Sequence, residues 1–212
     1  MRNFIKKVLR PFTPKIIFRL RAKRYNQKQL EVWETSGRPI PPPHIVKQMA
    51  ITDYQQKYGY TTLVETGTFY GEMVEAQKKR FKKVISIELG VDLFNRAQNK
   101  FRNDKNVEII QGDSSTALIP IAKDLKEPAI FWLDGHYSSG DTARGDKDCP
   151  IFEELDAIFA GRKLDHVLLI DDARCFIGEG DYPTINKLTE YIKDRNDSYV
   201  LEVKDDIVRY TI

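Results

Sequence analysis

The chain has 212 residues, enough for one domain with an appended arm, and its hydrophobic fraction of 41% suffices for a sizeable core. The net charge of +3 is uneven: ten of the 34 basic residues fall in the first 30 positions, which hold no acid, so the remainder carries 24 basic against 31 acidic residues. Two cysteines without metal-ligand spacing exclude a disulfide scaffold, point to a reducing cytoplasmic setting, and leave Cys149 and Cys175 as small apolar filler.

At the start of the chain, apolar residues such as Phe4, Ile5, Val8 and Leu9 interleave with the cations. No apolar stretch approaches the roughly 20 residues that cross a bilayer, and there is no uninterrupted core of a secretory signal. Residues 1–30 are expected to pack as a helical arm on the protein itself or on a second subunit. The alternative is peripheral contact with an anionic surface, which for a cytoplasmic protein is the inner face of the membrane. The acidic body and the lack of a recognised motif argue against nucleic acid.

A helix is predicted over residues 14–35, with proline in its first turn and Ser36-Gly37 as its stop. The run Arg38-Pro39-Ile40-Pro41-Pro42-Pro43 reads as an extended connector, and a second helix over 44–58 ends at Gly59. Residues 1–60 are thus an arm with its connector, and 61–212 a domain. Within that domain strands are predicted at 62–65, 83–88, 107–111, 130–134 and 166–171, separated by helices at 72–81, 91–103, 115–125 and 150–160. A last helix over 182–195 precedes a strand pair at 199–204 and 207–211, joined at Asp205-Asp206. Strands alternating with helices of this length indicate βαβ units and a parallel sheet. The expected architecture is α/β: a Rossmann-like, doubly wound, mostly parallel seven-stranded sheet with a closing antiparallel hairpin, plus the helical arm.

Ligands of an open parallel sheet collect beyond the carboxyl ends of its strands, so those positions carry the chemistry. After the first strand comes Glu65-Thr66-Gly67-Thr68-Phe69-Tyr70-Gly71, whose glycines permit a tight turn and close backbone approach. Any βα unit can use such a turn. Glu88 ends the second strand about 20 residues later, where a carboxylate can accept both ribose hydroxyl donors or simply face solvent. Asp113, with Ser114, follows the third strand and can accept from an exocyclic amino group or cap the next helix. The fourth strand ends at Asp134 and the fifth at Asp171-Asp172. If the two are neighbours, three carboxylates meet at one rim, where they repel unless a hard cation such as Mg²⁺, Ca²⁺ or Mn²⁺ sits among them. The other reading turns Asp172 to solvent or to a cap. His136, two residues beyond Asp134, is a candidate general base. His166 reads as structural, and Ile130, Phe131 and Trp132 as core.

Glu65-x-Gly67-x-x-x-Gly71 followed by Glu88, Asp113 and Asp134 at successive strand ends resembles the class I S-adenosylmethionine (SAM) dependent methyltransferases, over about residues 61 to 212. The segments Leu133-Asp134-Gly135-His136-Tyr137 and Ile170-Asp171-Asp172 are similar to the metal-dependent O-methyltransferases, in particular the macrocin and related sugar O-methyltransferases. The resemblance implies that Glu65, Thr66, Gly67, Thr68 and Gly71 hold the methionine part of SAM, Glu88 its ribose, and Asp113 with Ser114 its adenine. It further implies that Asp134, Asp171 and Asp172 ligate a divalent cation, Mg²⁺ first, while His136 with Asp134 acts on the hydroxyl of a saccharide or other small polar acceptor. Phe69 and Tyr70 depart from the commoner form, which has a central glycine in this turn. The loops 137–149 and 173–181 are expected to cover the acceptor, and Arg144, Lys147, Asp148 and Arg174 in them suit a polar one. Two other readings are an NAD-dependent oxidoreductase, which explains neither Asp171-Asp172 nor the final hairpin, and a non-catalytic module tethered by its arm.

Overall fold

The computed structural model describes residues 13–135 and 147–212, with side chains from residue 20 onward. His136, Tyr137 and Arg144 lie outside the described residues, as do residues 1–12 of the basic arm. The chain divides into two compact units, Met1–Lys47 and Gln48–Ile212.

In the first unit helix α1 (Thr13–Thr35) leaves Leu20, Tyr25 and Val32 exposed. Trp33 is buried, its Nε1 donates to the Pro39 carbonyl at 2.8 Å, and the Arg38 guanidinium lies 5.4 Å from its ring centroid. The connector therefore folds back over the last turn of α1. No helix among the described residues is long and apolar enough to cross a membrane.

The second unit takes in α2 (His44–Tyr58) from Gln48 onward and a seven-stranded sheet. Its strands are β1 (Thr62–Thr66), β2 (Lys83–Glu88), β3 (Val107–Gln111), β4 (Ile130–Leu133), β5 (Val167–Ile170), β6 (Val200–Lys204) and β7 (Ile207–Thr211). Their order is β3-β2-β1-β4-β5-β7-β6, with β1 to β5 parallel and β7 antiparallel to both of its neighbours. Between them run α3 (Glu72–Gln77), α4 (Val91–Phe101), α5 (Ser114–Asp124), α6 (Ile151–Phe159) and α7 (Ile185–Lys193).

Successive strand side chains point to opposite faces, and here both faces are apolar. Leu63, Val84, Ile130, Trp132, Val167 and Leu169 pack with Ala50 and Ile51 of α2 and with Val74, Ala97 and Phe101. Their chain neighbours Val64, Ile85, Phe131, Leu168 and Ile170 pack on the other side with Leu118, Leu155 and Leu188.

Four helices are shorter than their sequence pattern, those predicted over 72–81, 91–103, 150–160 and 182–195, and two of them have a visible cause. The helix expected over 72–81 ends at Gln77, because Asn106 Nδ2 donates to the carbonyls of Lys78 and Phe81 at 2.6 and 3.0 Å and holds that segment as a turn. The last helix starts at Ile185 rather than 182, since Thr184 caps it by accepting from the Lys187 amide. His166 is buried, its Nδ1 accepts from the Ala129 amide at 3.1 Å, and burial pushes the imidazole down to about 4. It is a neutral structural acceptor.

Ile51 is fully buried. Replacing it by Ala is expected to cost roughly 2–5 kcal/mol in chemical denaturation. A loss below about 0.5 kcal/mol, the level of an exposed site, would show that α2 is not part of the sheet's core.

Candidate active site

Strand order reverses between β1 and β4, so the crevice beyond their carboxyl ends is where an open sheet of this kind receives a ligand. The turn after β1 is pressed onto the end of β4. A Cβ at Gly67, which has φ 83°, would lie 2.3 Å from the Asp134 carbonyl oxygen, and one at Gly71, with φ 67°, would lie 2.6 Å from the Phe101 ring. Both glycines are thus demanded by the protein's own packing. Phe69, at the position of the missing central glycine, still adopts a left-handed φ of 49°. That conformation costs a non-glycine residue about 1–2 kcal/mol. The Phe69 amide donates to Glu88 Oε2 at 2.7 Å, which helps to hold the strained residue in place.

Glu65 lies in β1 beneath this turn and is 2% exposed. Ser86, its register partner on β2, donates to Glu65 Oε2 at 2.5 Å, and Ser86 Oγ is 2.6 Å from Thr68 Oγ1. Burial, reinforced by the nearby Glu88 charge, pushes the Glu65 carboxyl up to about 8 against the opposing pull of Ser86 and Lys100. Glu65 therefore carries its proton at neutral pH.

Glu88 is also buried, and each of its oxygens accepts a backbone N–H: Phe69 N at 2.7 Å and Gly90 N at 2.8 Å. Asp113 caps α5, its Oδ1 accepting from Ser115 N at 2.8 Å and Ser115 Oγ at 2.6 Å, so the capping alternative is realised. Thr66 Oγ1 accepts from the Asp134 amide at 3.2 Å and joins the rims of β1 and β4. A Cβ at Gly135 would meet Glu154 Oε1, Thr66 Oγ1 and Ser114 Oγ at 2.7, 3.0 and 3.2 Å. These buried polar groups thus converge directly behind the rim. Several large apolar side chains stand exposed on segments that follow strands: Phe69, Tyr70 and Ile177 on loops and Val91 at the start of α4.

No family model matches the sequence, and neither does any curated protein. Solved structures do. The O-methyltransferase from Bacillus cereus in complex with S-adenosylhomocysteine (SAH) is 14% identical with a TM-score of 0.57, over 88% of this chain and 90% of that one. TomG from Streptomyces achromogenes, an O-methyltransferase of tomaymycin synthesis in complex with SAM, is likewise 14% identical at 0.57, over 88% and 86%. SAH-bound PaMTH1 from Podospora anserina, a methyltransferase, is 14% identical at 0.54, over 92% and 94%. The chain has the class I methyltransferase fold.

On this fold the three aspartates expected to share a divalent cation stand just beyond the ends of β4 and β5. Asp171 is fully buried and its Oδ1 accepts the Asp172 amide at 2.8 Å. Asp172 has φ 55° and its Oδ1 receives Arg174 Nη1 at 2.8 Å. Asp134 is half-buried at the rim of β4. Among the described residues no three of His, Cys, Asp and Glu are grouped to hold a metal ion. The sequence placed these carboxylates by strand end alone; in the structure the left-handed turn at Asp172 brings a guanidinium to its side chain.

Several polar groups near this rim were not singled out from the sequence as site residues. Ser86 had a signal, as the one hydroxyl in an apolar strand beside Glu65. Asp206 and Glu154 had none, being brought to the rim only by tertiary contacts. The two loops expected over the acceptor are joined where the Asp148 amide donates to Asp181 Oδ2 at 2.8 Å.

Glu65 binds its proton more tightly folded than unfolded, so stability is lost as pH rises from the carboxylate value of 4.5 through about 8. Denaturation midpoints at acid and alkaline pH are expected to show this slope, and Glu65→Gln to flatten it. An unchanged slope in the variant counts against a neutral Glu65. Gly67→Ala is expected to cost roughly 1–3 kcal/mol of backbone strain besides the clash with Asp134; a variant as stable as wild type contradicts the close approach.

Proposed function

We propose that this chain is a SAM-dependent methyltransferase that methylates a hydroxyl group of a saccharide or another polar small molecule. The observation that carries the reading is an acid at or just beyond the end of each of the first four strands, Glu65, Glu88, Asp113 and Asp134. Helix α3 adds Glu72 and Glu75 in its first turn. Apart from Glu65, which carries its proton, the acids of this rim attract a ligand bearing an ammonium and a sulfonium and repel the pyrophosphate of a dinucleotide, which needs an uncompensated helix N-terminus. The SAH- and SAM-bound O-methyltransferases of the same fold agree with this choice.

In this reading Glu65 and the turn Thr66-Gly67-Thr68, with Gly71, face the methionine part of the cofactor. Glu88 accepts the ribose hydroxyls, since its two amide bonds fix the carboxylate and use only one lone pair on each oxygen. Asp113 and Ser114 border the adenine. When bound, SAM supplies an electrophilic methyl group, which an acceptor oxygen takes as a neutral thioether leaves. The protein's part is to hold the acceptor in line and receive its proton. We assign the proton to His136 from its place in the chain, directly after Gly135. The loops proposed to cover the acceptor carry Arg174, Lys147 and Asp181, charged groups that favour a polar substrate. No step in this reading passes through a divalent cation, since a guanidinium already engages Asp172 Oδ1.

Calorimetric titration with SAH is expected to show saturable binding and titration with NAD none; the reverse result would falsify the proposal. Glu88→Gln should weaken SAH binding by roughly tenfold or more, the effect of losing a hydrogen bond to a charged group, in a variant whose fold is checked by denaturation. In an acceptor screen with methyl-labelled SAM, saccharides and other polar hydroxyl compounds should be labelled in preference to apolar phenols. Labelling of the phenols alone removes the substrate part of the reading.

A further inference from the structure

The rim beyond β5 holds more acid than the sequence motif contains. Asp171 and Asp172 directly follow that strand, and the β6–β7 hairpin brings in Asp206, whose side chain is 1% exposed. Asp205 and Asp206 both have left-handed φ, 54° and 63°, which is the tight turn that joins two twisted antiparallel strands. This turn aims Asp206 at the short helical turn Ala173–Cys175. The Ala173 amide donates to the Asp206 carbonyl and the Arg174 amide to Asp206 Oδ1, both at 2.8 Å. Arg174 Nη1 then bonds to Asp206 Oδ2 and to Asp172 Oδ1, the latter at 2.8 Å. Burial works against the Arg174 charge, but the Asp172 and Asp206 carboxylates outweigh it and hold its pKa above the ordinary value.

We propose that Arg174 is the resident cation of this rim, standing where a divalent ion would otherwise be needed, and that the wild-type protein takes up no Mg²⁺ or Mn²⁺ there. A metal bound through carboxylates needs their oxygens at about 2.0–2.6 Å. Asp172 Oδ1 is engaged by a guanidinium instead, and that group's own positive charge opposes a second cation within a few ångström. The arrangement also fixes where the cation sits. Asp206 anchors Arg174 from a hairpin that belongs to the sheet, through a main-chain and a side-chain bond, so the charge does not depend on the free concentration of any ion. The proposal rests on the methyl-transfer reading only in taking this rim for the acceptor side.

The test is a titration with Mn²⁺, followed by its paramagnetic resonance signal, on wild-type protein, Arg174→Gln, Arg174→Lys, Asp172→Asn and the double variant Arg174→Gln/Asp172→Asn. Wild type and Arg174→Lys are expected to show no saturable binding at millimolar Mn²⁺. Arg174→Gln should gain a site at least about tenfold tighter than any seen in wild type, as removal of one like charge beside the ion requires. The double variant should lose that site. Saturable Mn²⁺ binding by wild type that Asp172→Asn abolishes overturns the proposal even if Arg174→Gln does not fold. A folded Arg174→Gln that gains no site overturns it too. SAH titration of the same samples keeps the two proposals apart: loss of SAH binding bears on the methyltransferase reading and leaves the Mn²⁺ result standing.

Discussion

Gly67 lies so close to the Asp134 carbonyl that no side chain fits between them, and the organisation of the rim follows from that contact. It brings the turn after β1 against the end of β4, across the point where the sheet's strand order reverses. Thr66 can then accept from the Asp134 amide, and Glu88 can reach the Phe69 amide from the neighbouring strand. Gly135, next in line, is ringed by Thr66, Ser114 and Glu154. Any group larger than hydrogen at position 67 would push the turn away and separate these partners.

The rim gathers many carboxylates, and the fold stabilises each in its own way. Glu65 keeps its proton, because it is buried where desolvation outweighs the hydroxyl of Ser86. Glu88 is held by two backbone amides. Asp113 uses the free N–H groups and the dipole of its own helix. Asp172 and Asp206 share a guanidinium. Acids compensated by hydrogen bonds or a proton lie on the β1–β3 side, where a cationic cofactor is proposed to sit. The acids compensated by a full positive charge lie beyond β5, on the proposed acceptor side. A single sheet edge thus presents two electrostatic environments.

Much of the fold was legible in local pattern. Apolar runs of strand length separated by helical repeats predict the parallel strands, and the short turn at Asp205-Asp206 predicts the closing hairpin. Element ends were less legible. Gln77 ends α3 because Asn106, far along the chain, takes the next carbonyls, and nothing within residues 72–81 announces it. The site was legible to the same depth. Which acids stand at strand ends follows from the strands, but what each acid touches does not.

Taken alone, the sequence determined the alternation of strands and helices, the glycine-bearing turn, and the list of acids at the carboxyl edge, because each depends on residues adjacent in the chain. Only the tertiary structure decided the state of those acids. Glu65 meets Ser86 through strand register, Gly67 meets Asp134 through the reversal of strand order, and Asp172 meets Arg174 beside Asp206 through left-handed turns in two separate segments. The physical reason is that a carboxylate's protonation and its fitness to bind a metal depend on the charges and donors within a few ångström. Those neighbours come from parts of the chain that folding alone brings together.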